Sequence, residues 1–445
     1  MADSSTPLAP AGQITRRRFL QNTGLALAAG VVFPSLIPAR ALGRDGAVAP
    51  SNRINLGVVG THQGMDSINR CKGIRGVQVT SICDLDDNQC GKIVGEIDKF
   101  YKTKGTKGYR DFRDMFAKAN LDAVVLAAPD HWHGIMAVAA ARAGLDIYGE
   151  KPIAHTLAEG RAIANAVKQH GRIWQTGSWQ RSDGKFFRAV ELVRNGRIGK
   201  ITHVQVGTLA TQNGFSKSLS TKTPADVGKP PSHFDHDLWI GPAAWMDYDS
   251  RFSVYHWRWI LNFGGGNLMD WVGHHVDIAH WALGFDETGP IKVTGNGVFS
   301  TKLPWDAATK YSYECTYANG QVINVGSNYS SGVKFFGEDG KWIQVDRGRL
   351  TASNKGILDS EIGPEEYHPY RSPDHWRNFI DCVRNRGVTI APAETAHRTA
   401  SVGHLGHIAV QTGRTINWDP VTETIKDDPL TTALLSPTFR SPWVL

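Results

Sequence analysis

The sequence predicts an α/β chain: an N-terminal doubly wound parallel sheet, then an α+β domain with a large, mostly antiparallel open sheet. Three observations carry this. Between residues 53 and 170, short apolar runs alternate with helical patterns. From about residue 171 most strand-like runs show apolar/polar alternation. A glycine turn follows the first apolar run, and an aspartate closes the second. With 445 residues, 41% of them hydrophobic, the chain can bury one large core or two moderate ones, and 20% charged residues argue against disorder.

Residues 1–41 read as an address. "TRRRFLQNTGLALAAGVVFPSLIPARA" holds the twin arginines Arg16 and Arg17, an apolar run, and Ala39-Arg40-Ala41 in the small-x-small form of a cleavage site. The run is shorter than the roughly 20 residues that span a bilayer, and Pro34 and Pro38 interrupt it. The expectation is a cleaved signal read by the twin-arginine export machinery, a mature chain beginning near Leu42 in the periplasm or secreted, and no stable membrane span. Of the formal charge of +7, four arginines against Asp3 place +3 within this leader, so the rest of the chain carries only +4 and no nucleic-acid partner is expected. Five cysteines without a C-x-x-C pair give no disulfide framework and read as buried thiols. Fourteen tryptophans suit sugar rings, whose flat faces stack on indoles, as well as a core.

After a linker at 42–52, the first domain is expected over 53–170. "RINLGVVG" (53–60), "VQVTSICD" (77–84) and "LDAVVLAAP" (121–129) read as buried strands of a parallel sheet. The turn after the first, Gly57-Val-Val-Gly60-Thr61-His62-Gln-Gly64, approximates the glycine fingerprint of a Rossmann dinucleotide fold. His62 stands where the second glycine would be, and Gly64 comes one residue early. Asp84 lies where a carboxylate accepts hydrogen bonds from an adenosine ribose, which favours NAD over NADP without removing NADP. Strands "KITHVQVGTL", "IKVTGNGVFS", "KYSYECTYANGQVINVGSNY" and "GVKFFGEDGKWIQVD" place a second domain at 171–435, opened by "GRIWQTGSWQ", with a tail at 436–445. An exposed face on its sheet makes a homo-dimer or tetramer plausible.

"GGGNLMDWVGHHVDIAHW" (264–281) raises the question of chemistry. Glycines halt the preceding structure, Asn267 is placed to cap, and the apolar spacing predicts one helix over 268–283. Asp270 and His274 are then four residues apart on one face. Asp270 can also serve as a carboxylate on the free amides of the first turn. Zinc on His274, His275, Asp277 and His280 is disfavoured, because adjacent helical positions point about 100° apart and the order lacks H-E-x-x-H; no metal is expected.

"AAPDHWHGIMAVAAARAGLDIYGEKPIAHTLAEGRAI" (127–163), with Glu150-Lys151-Pro152 at its centre, resembles the glucose-fructose oxidoreductase/inositol dehydrogenase (Gfo/Idh/MocA) family, in particular its twin-arginine-exported branch. The likeness extends through "GRIWQTGSWQRSDGKFFRAVELVRNGRIGKI" to "AHRTASVGHLGHIA". It implies an NAD(P)-dependent oxidoreductase acting on a carbohydrate hydroxyl, with Lys151 beside the nicotinamide, His274 as general acid/base and Asp270 orienting it or holding a sugar hydroxyl. It also places Pro129, Asp130, His133 and Glu150 along the cofactor, joining Gly57, Gly60, Thr61, His62 and Asp84. Trp179, Arg181, Tyr255, Trp257 and His275 are candidates for the sugar site. Export implies a tightly bound cofactor. An NAD-dependent glycosidase working by transient oxidation and elimination, and a non-catalytic carbohydrate-binding relative suggested by His62, remain open.

Overall fold

The computed structural model describes residues 48–208, 227–251, 256–302 and 304–445. The twin-arginine segment therefore lies outside the described residues, as does Tyr255. Arg53–Leu445 is the compact unit treated below.

Its first sheet contains β1 (Ile54–Val59), β2 (Val77–Cys83), β3 (Lys107–Tyr109), β4 (Ala123–Leu126), β5 (Asp146–Gly149) and β6 (Trp174–Thr176). All are parallel, in the order β3-β2-β1-β4-β5-β6. Helices α1 (Thr61–Cys71), α2 (Asp87–Tyr101), α3 (Phe112–Lys118), α4 (His133–Arg142) and α5 (Leu157–Gln169) connect them. The near-continuous apolar strands are the signature of a sheet covered on both faces. Local chemistry sets the helix starts. Asp86 caps α2 by accepting from the amides of Asn88 and Gln89, and the Thr156 hydroxyl caps α5 by accepting from the Glu159 amide while donating to its carboxylate.

The second domain holds α6 (Gly184–Arg194), β7 (His203–Gly207), the short α7 (His236–Ile240), α8 (Gly266–Trp271), a π-helical turn (Val272–Val276) and α9 (Asp277–Leu283). Then come β8 (Lys292–Phe299), β9 (Ala308–Thr316), β10 (Val322–Gly326), β11 (Gly332–Phe336), β12 (Trp342–Asp346), β13 (Arg349–Ala352), α10 (His375–Asn385), α11 (Ala393–Thr412), β14 (Ile416–Asp419) and β15 (Thr424–Ile425). The nine strands run β13-β12-β11-β7-β10-β9-β8-β14-β15, antiparallel except where β7 meets β10. Alternation along β9 buries Tyr311, Tyr313 and Cys315 against the helices while Lys310 and Glu314 face out. Gly406 lets α11 approach closely, since a Cβ there would lie 2.5 Å from the Tyr313 ring.

Three boundaries differ from the sequence reading. "GRIWQTGSWQ" supplies β6, the edge of the parallel sheet paired with β5, and does not open the second domain. Helix α10 returns to the first domain, where Trp376 stacks on Tyr148 at 3.7 Å and Phe379 and Ile380 join the core of β1 and β2. The expected tail at 436–445 also packs there, with Trp443 edge-on to Trp132 at 4.7 Å. Local periodicity carries no signal for such long-range returns. All five cysteines are buried and free. Among the described residues no helix is long and apolar enough to cross a membrane.

Candidate active site

One large cleft, about 1210 Å³, opens at the carboxyl ends of β1 and β4, where the strand order reverses. This switch point is where ligands bind in open parallel sheets. Its volume exceeds the roughly 300–1,000 Å³ of a typical small-molecule pocket, leaving space for a cofactor and a substrate together.

At one end the chain leaves β1 through Gly60, whose φ is 81°. A Cβ there would stand 2.5 Å from the Ala127 carbonyl oxygen, so this turn requires glycine. Thr61 begins α1, and Gly60 through Gln63 line the cleft. The first turn of α1 carries no acidic residue, leaving its positive dipole end open to an anion. Asp84 Oδ2 accepts from the Thr61 amide (2.9 Å) and hydroxyl (2.5 Å), while Oδ1 accepts from the Asp86 amide (3.0 Å). Oδ2 uses both of its lone pairs in this way, but Oδ1 keeps one, so Asp84 can still receive a ribose hydroxyl. Gly64 performs the packing duty of a third glycine one residue early, because a Cβ would meet Val58 at 3.0 Å. His62 is exposed at the cleft wall. The glycine turn, helix start and strand-end aspartate together fit a dinucleotide. Gly57 does not share in this: it sits within β1, with its would-be Cβ 2.8 Å from Leu121, a packing position.

At the other end, Lys151 Nζ donates to Asp270 Oδ1 at 2.6 Å and to the Asp270 carbonyl at 3.2 Å. Arg258 Nε lies 3.8 Å from the same carboxylate. Asp270 is half-buried, and its carboxyl is held below the usual range because Lys151 and Arg258 outweigh its desolvation. The helix is not continuous here. An α-to-π change after Trp271 closes a wider turn, with the Asp277 amide bonded to the Val272 carbonyl, so Asp270 turns to Lys151 and makes no hydrogen bond to His274. Asn267 does not cap either; Gly265 holds that position, and Asp270 stands beyond the first turn. Gly273 makes room for the arrangement, since a Cβ would lie 2.9 Å from Lys151 Cβ.

His274 is 5% exposed, and its Nδ1 is fully buried without a partner, which leaves Nε2 for the cleft. Burial first, then the charges of Lys151 and Arg347, hold the imidazole pKa well below its ordinary value, so the ring is neutral and keeps an unprotonated acceptor nitrogen. Asp130 lies deep in the wall, its carboxyl pushed up to about 8 by burial, with Arg258 opposing. Burial also raises Glu150. Each ring nitrogen of His133 faces a backbone carbonyl, Pro152 at 2.7 Å and Ala128 at 2.9 Å, so this side chain ties the Glu-Lys-Pro loop to the end of β4. Pro129, Asp130, His133, Glu150 and Lys151 all line the cleft.

Trp179 and Trp257 line the cleft. Arg181 and His275 do not. Arg181 is 2% exposed and pairs with Asp277 (2.7 Å) and Asp286 (2.7 Å), tying the segment after β6 to α9. His275 is fully buried and donates from Nδ1 to the Gly207 carbonyl at 2.7 Å, pinning the π turn to β7. Sequence reasoning missed Arg347, which enters from the β12–β13 turn, and Trp271. "VDRGRL" reads only as a hairpin turn, and nothing local marks its arginine. Among the described residues no group of three or more His, Cys, Asp or Glu side chains is arranged to hold a metal.

Comparison with known proteins agrees with this architecture. Residues 54–178 match the oxidoreductase family's NAD-binding Rossmann fold, and residues 186–445 match the C-terminal alpha/beta domain of the same Gfo/Idh/MocA oxidoreductase family. The chain is similar to an alpha-N-acetylgalactosaminidase of Tannerella forsythia, 30% identical over 43% of this chain and 44% of that one. The match thus spans less than half of that relative. It is also similar to a scyllo-inositol 2-dehydrogenase (NAD(+)) of Bacillus subtilis, 27% identical over 70% of this chain and 82% of that one. In fold it resembles the WlbA dehydrogenase of Bordetella pertussis, solved with NADH and UDP-GlcNAcA. That likeness has a TM-score of 0.60 and 18% identity, and covers 83% of this chain and 98% of that one.

Proposed function

Because the chain belongs to the Gfo/Idh/MocA oxidoreductase family, we propose that it oxidises a CH–OH group of a sugar or glycoside with NAD. We further propose that it leaves the cytoplasm by the twin-arginine route to act in the periplasm or beyond. The observation that carries the chemistry is the Lys151–Asp270 pair at 2.6 Å beside a neutral, buried His274, at the mouth of a dinucleotide cleft.

When bound, the dinucleotide supplies a two-electron acceptor. Lys151 Nζ donates to the substrate hydroxyl oxygen and stabilises the negative charge that grows there as the carbinol C–H bond breaks. Asp270 holds Lys151 in place from the far side. His274 Nε2 takes the hydroxyl proton, and returns it in the reverse reaction. Asp84 favours NAD, with NADP as the second choice.

A freely dissociating cofactor would be lost outside the cytoplasm, so NAD stays bound through turnover and a second carbonyl compound reoxidises it in the same cleft. Purification without nucleotide, denaturation and mass spectrometry should release one NAD(P) per chain. A well-folded apo-protein would refute retention and bring the non-catalytic carbohydrate-binding reading forward. Light scattering tests the accompanying expectation of a dimer or tetramer.

A second reading is supported by the similarity to the alpha-N-acetylgalactosaminidase: transient oxidation, elimination of the glycosidic bond and reduction, with the same residues performing the first step. Release of a monosaccharide from an aryl glycoside with no net NADH formed would favour it.

A further inference from the structure

Arg347, in the β12–β13 turn, lies against two indoles. Its guanidinium carbon lies 4.9 Å from the Trp179 ring centre and 4.7 Å from that of Trp271. Cation–π contact with two rings holds the guanidinium at the cleft wall, and a guanidinium offers a carboxylate two parallel N–H donors. Among the described residues no carboxylate forms an ion pair with it. Its neighbour Asp346 accepts the backbone amide of Arg347 through Oδ1 at 2.7 Å, and the same oxygen lies 3.8 Å from His275 Nε2.

Both indoles also border the catalytic imidazole. The His274 ring centre lies 6.5 Å from that of Trp179 and 5.5 Å from that of Trp271. Arg347 and His274 thus share the same two indole neighbours at the cleft wall. The nearby acids are already engaged. Asp270 pairs with Lys151, Asp183 caps α6, and Asp374 caps α10.

We propose that Arg347 is a specificity residue that selects a sugar acid, its fork receiving the substrate carboxylate while the hydroxyl to be oxidised lies between Lys151 and His274. The assignment rests on the oxidoreductase reading for its catalytic half only; the anion-binding half stands by itself.

Equilibrium titration separates the two. Hexuronates and hexoses of matched configuration, together with the corresponding hexose 6-phosphates, are titrated calorimetrically into the NAD-loaded protein and into Arg347→Lys and Arg347→Met. The wild type should bind at least one hexuronate about tenfold to a hundredfold more tightly than its hexose, as expected of a charge-assisted bidentate contact. Arg347→Met should bring that ratio close to one, Arg347→Lys should leave it intermediate, and NAD affinity should stay at the wild-type value in both. No preference for any acid in the wild type, or a ratio unchanged in Arg347→Met, overturns the proposal. Tighter binding of a 6-phosphate than of the hexuronate overturns the carboxylate assignment. A preserved acid preference without any NADH formation would sink the oxidoreductase reading and leave the anion site standing.

Discussion

Arg181 offers the sharpest test of how the site is supported. Its side chain and that of Asp277 are each 2% exposed, joined at 2.7 Å through Nε and 2.9 Å through Nη2, while Asp286 receives the rest of the fork at 31% exposure. Among the described residues, the only remaining donor to the buried Asp277 carboxylate in Arg181→Met is the Thr399 hydroxyl at 3.2 Å. Breaking one partner out of such a pair costs about 3–5 kcal/mol. With about 2.1 cal/mol/K of unfolding entropy per residue over Arg53–Leu445, the midpoint should fall by roughly 4–6 °C. Arg181→Met combined with Asp277→Leu removes both buried charges, leaves Asp286 to solvent, and should recover most of the loss. Thermal unfolding followed by far-UV circular dichroism at pH 7 reads both variants. If Arg181→Met unfolds with the wild type yet loses sugar affinity, the arginine is a substrate contact and the support argument is wrong.

Replacing His274 by Ala should lower turnover by roughly two to four decades while NAD affinity stays within about twofold; matched loss of both would mark the π turn as purely structural. Gly273→Ala drives a Cβ to within 2.9 Å of Lys151, so it should cost about 1–3 kcal/mol of stability and reduce turnover with His274 intact, and normal steady-state kinetics would contradict that. Asp130 keeps its proton up to about 8 in the fold, facing Arg258, Lys151, Asp270 and Glu159, whereas its ordinary value is 3.8. A raised carboxyl makes the native state bind more protons, so its contribution falls as pH rises from about 4 to about 8. Asp130→Asn should therefore gain stability on the wild type across that window and show a constant difference below it; parallel melting curves from pH 4 to 8 would refute the shift.

Much of this molecule was legible in one dimension because its strands are written in two distinct patterns. Continuous apolar runs such as "INLGVV" specify a sheet covered on both faces, and the alternation in "ATKYSYECT" specifies one covered on a single face. Gly60 and Asp84 were readable because a turn and a strand end lie at fixed distances along the chain. What stayed hidden depends on which distant segment arrives. Arg181 and Trp179 are two residues apart, but one meets Asp277 in the core and the other faces the cleft. The π turn was equally hidden, since apolar spacing in "LMDWVGHHVDIAHW" satisfies an α-helix equally well. Only the fold shows that Lys151, arriving from another domain, donates to the Asp270 carbonyl just before it.

The return of Trp376 and Trp443 to the first domain has a consequence for how this protein comes into being. A ribosome completes residues 53–178 long before either tryptophan exists, so Tyr148 and Trp132 emerge without the aromatic rings that later cover them. The nascent nucleotide domain is a half-walled intermediate, and only late-synthesised segments turn it into a finished one. Trimming at the apparent end of the Rossmann region would yield a sticky fragment in place of a portable binding module.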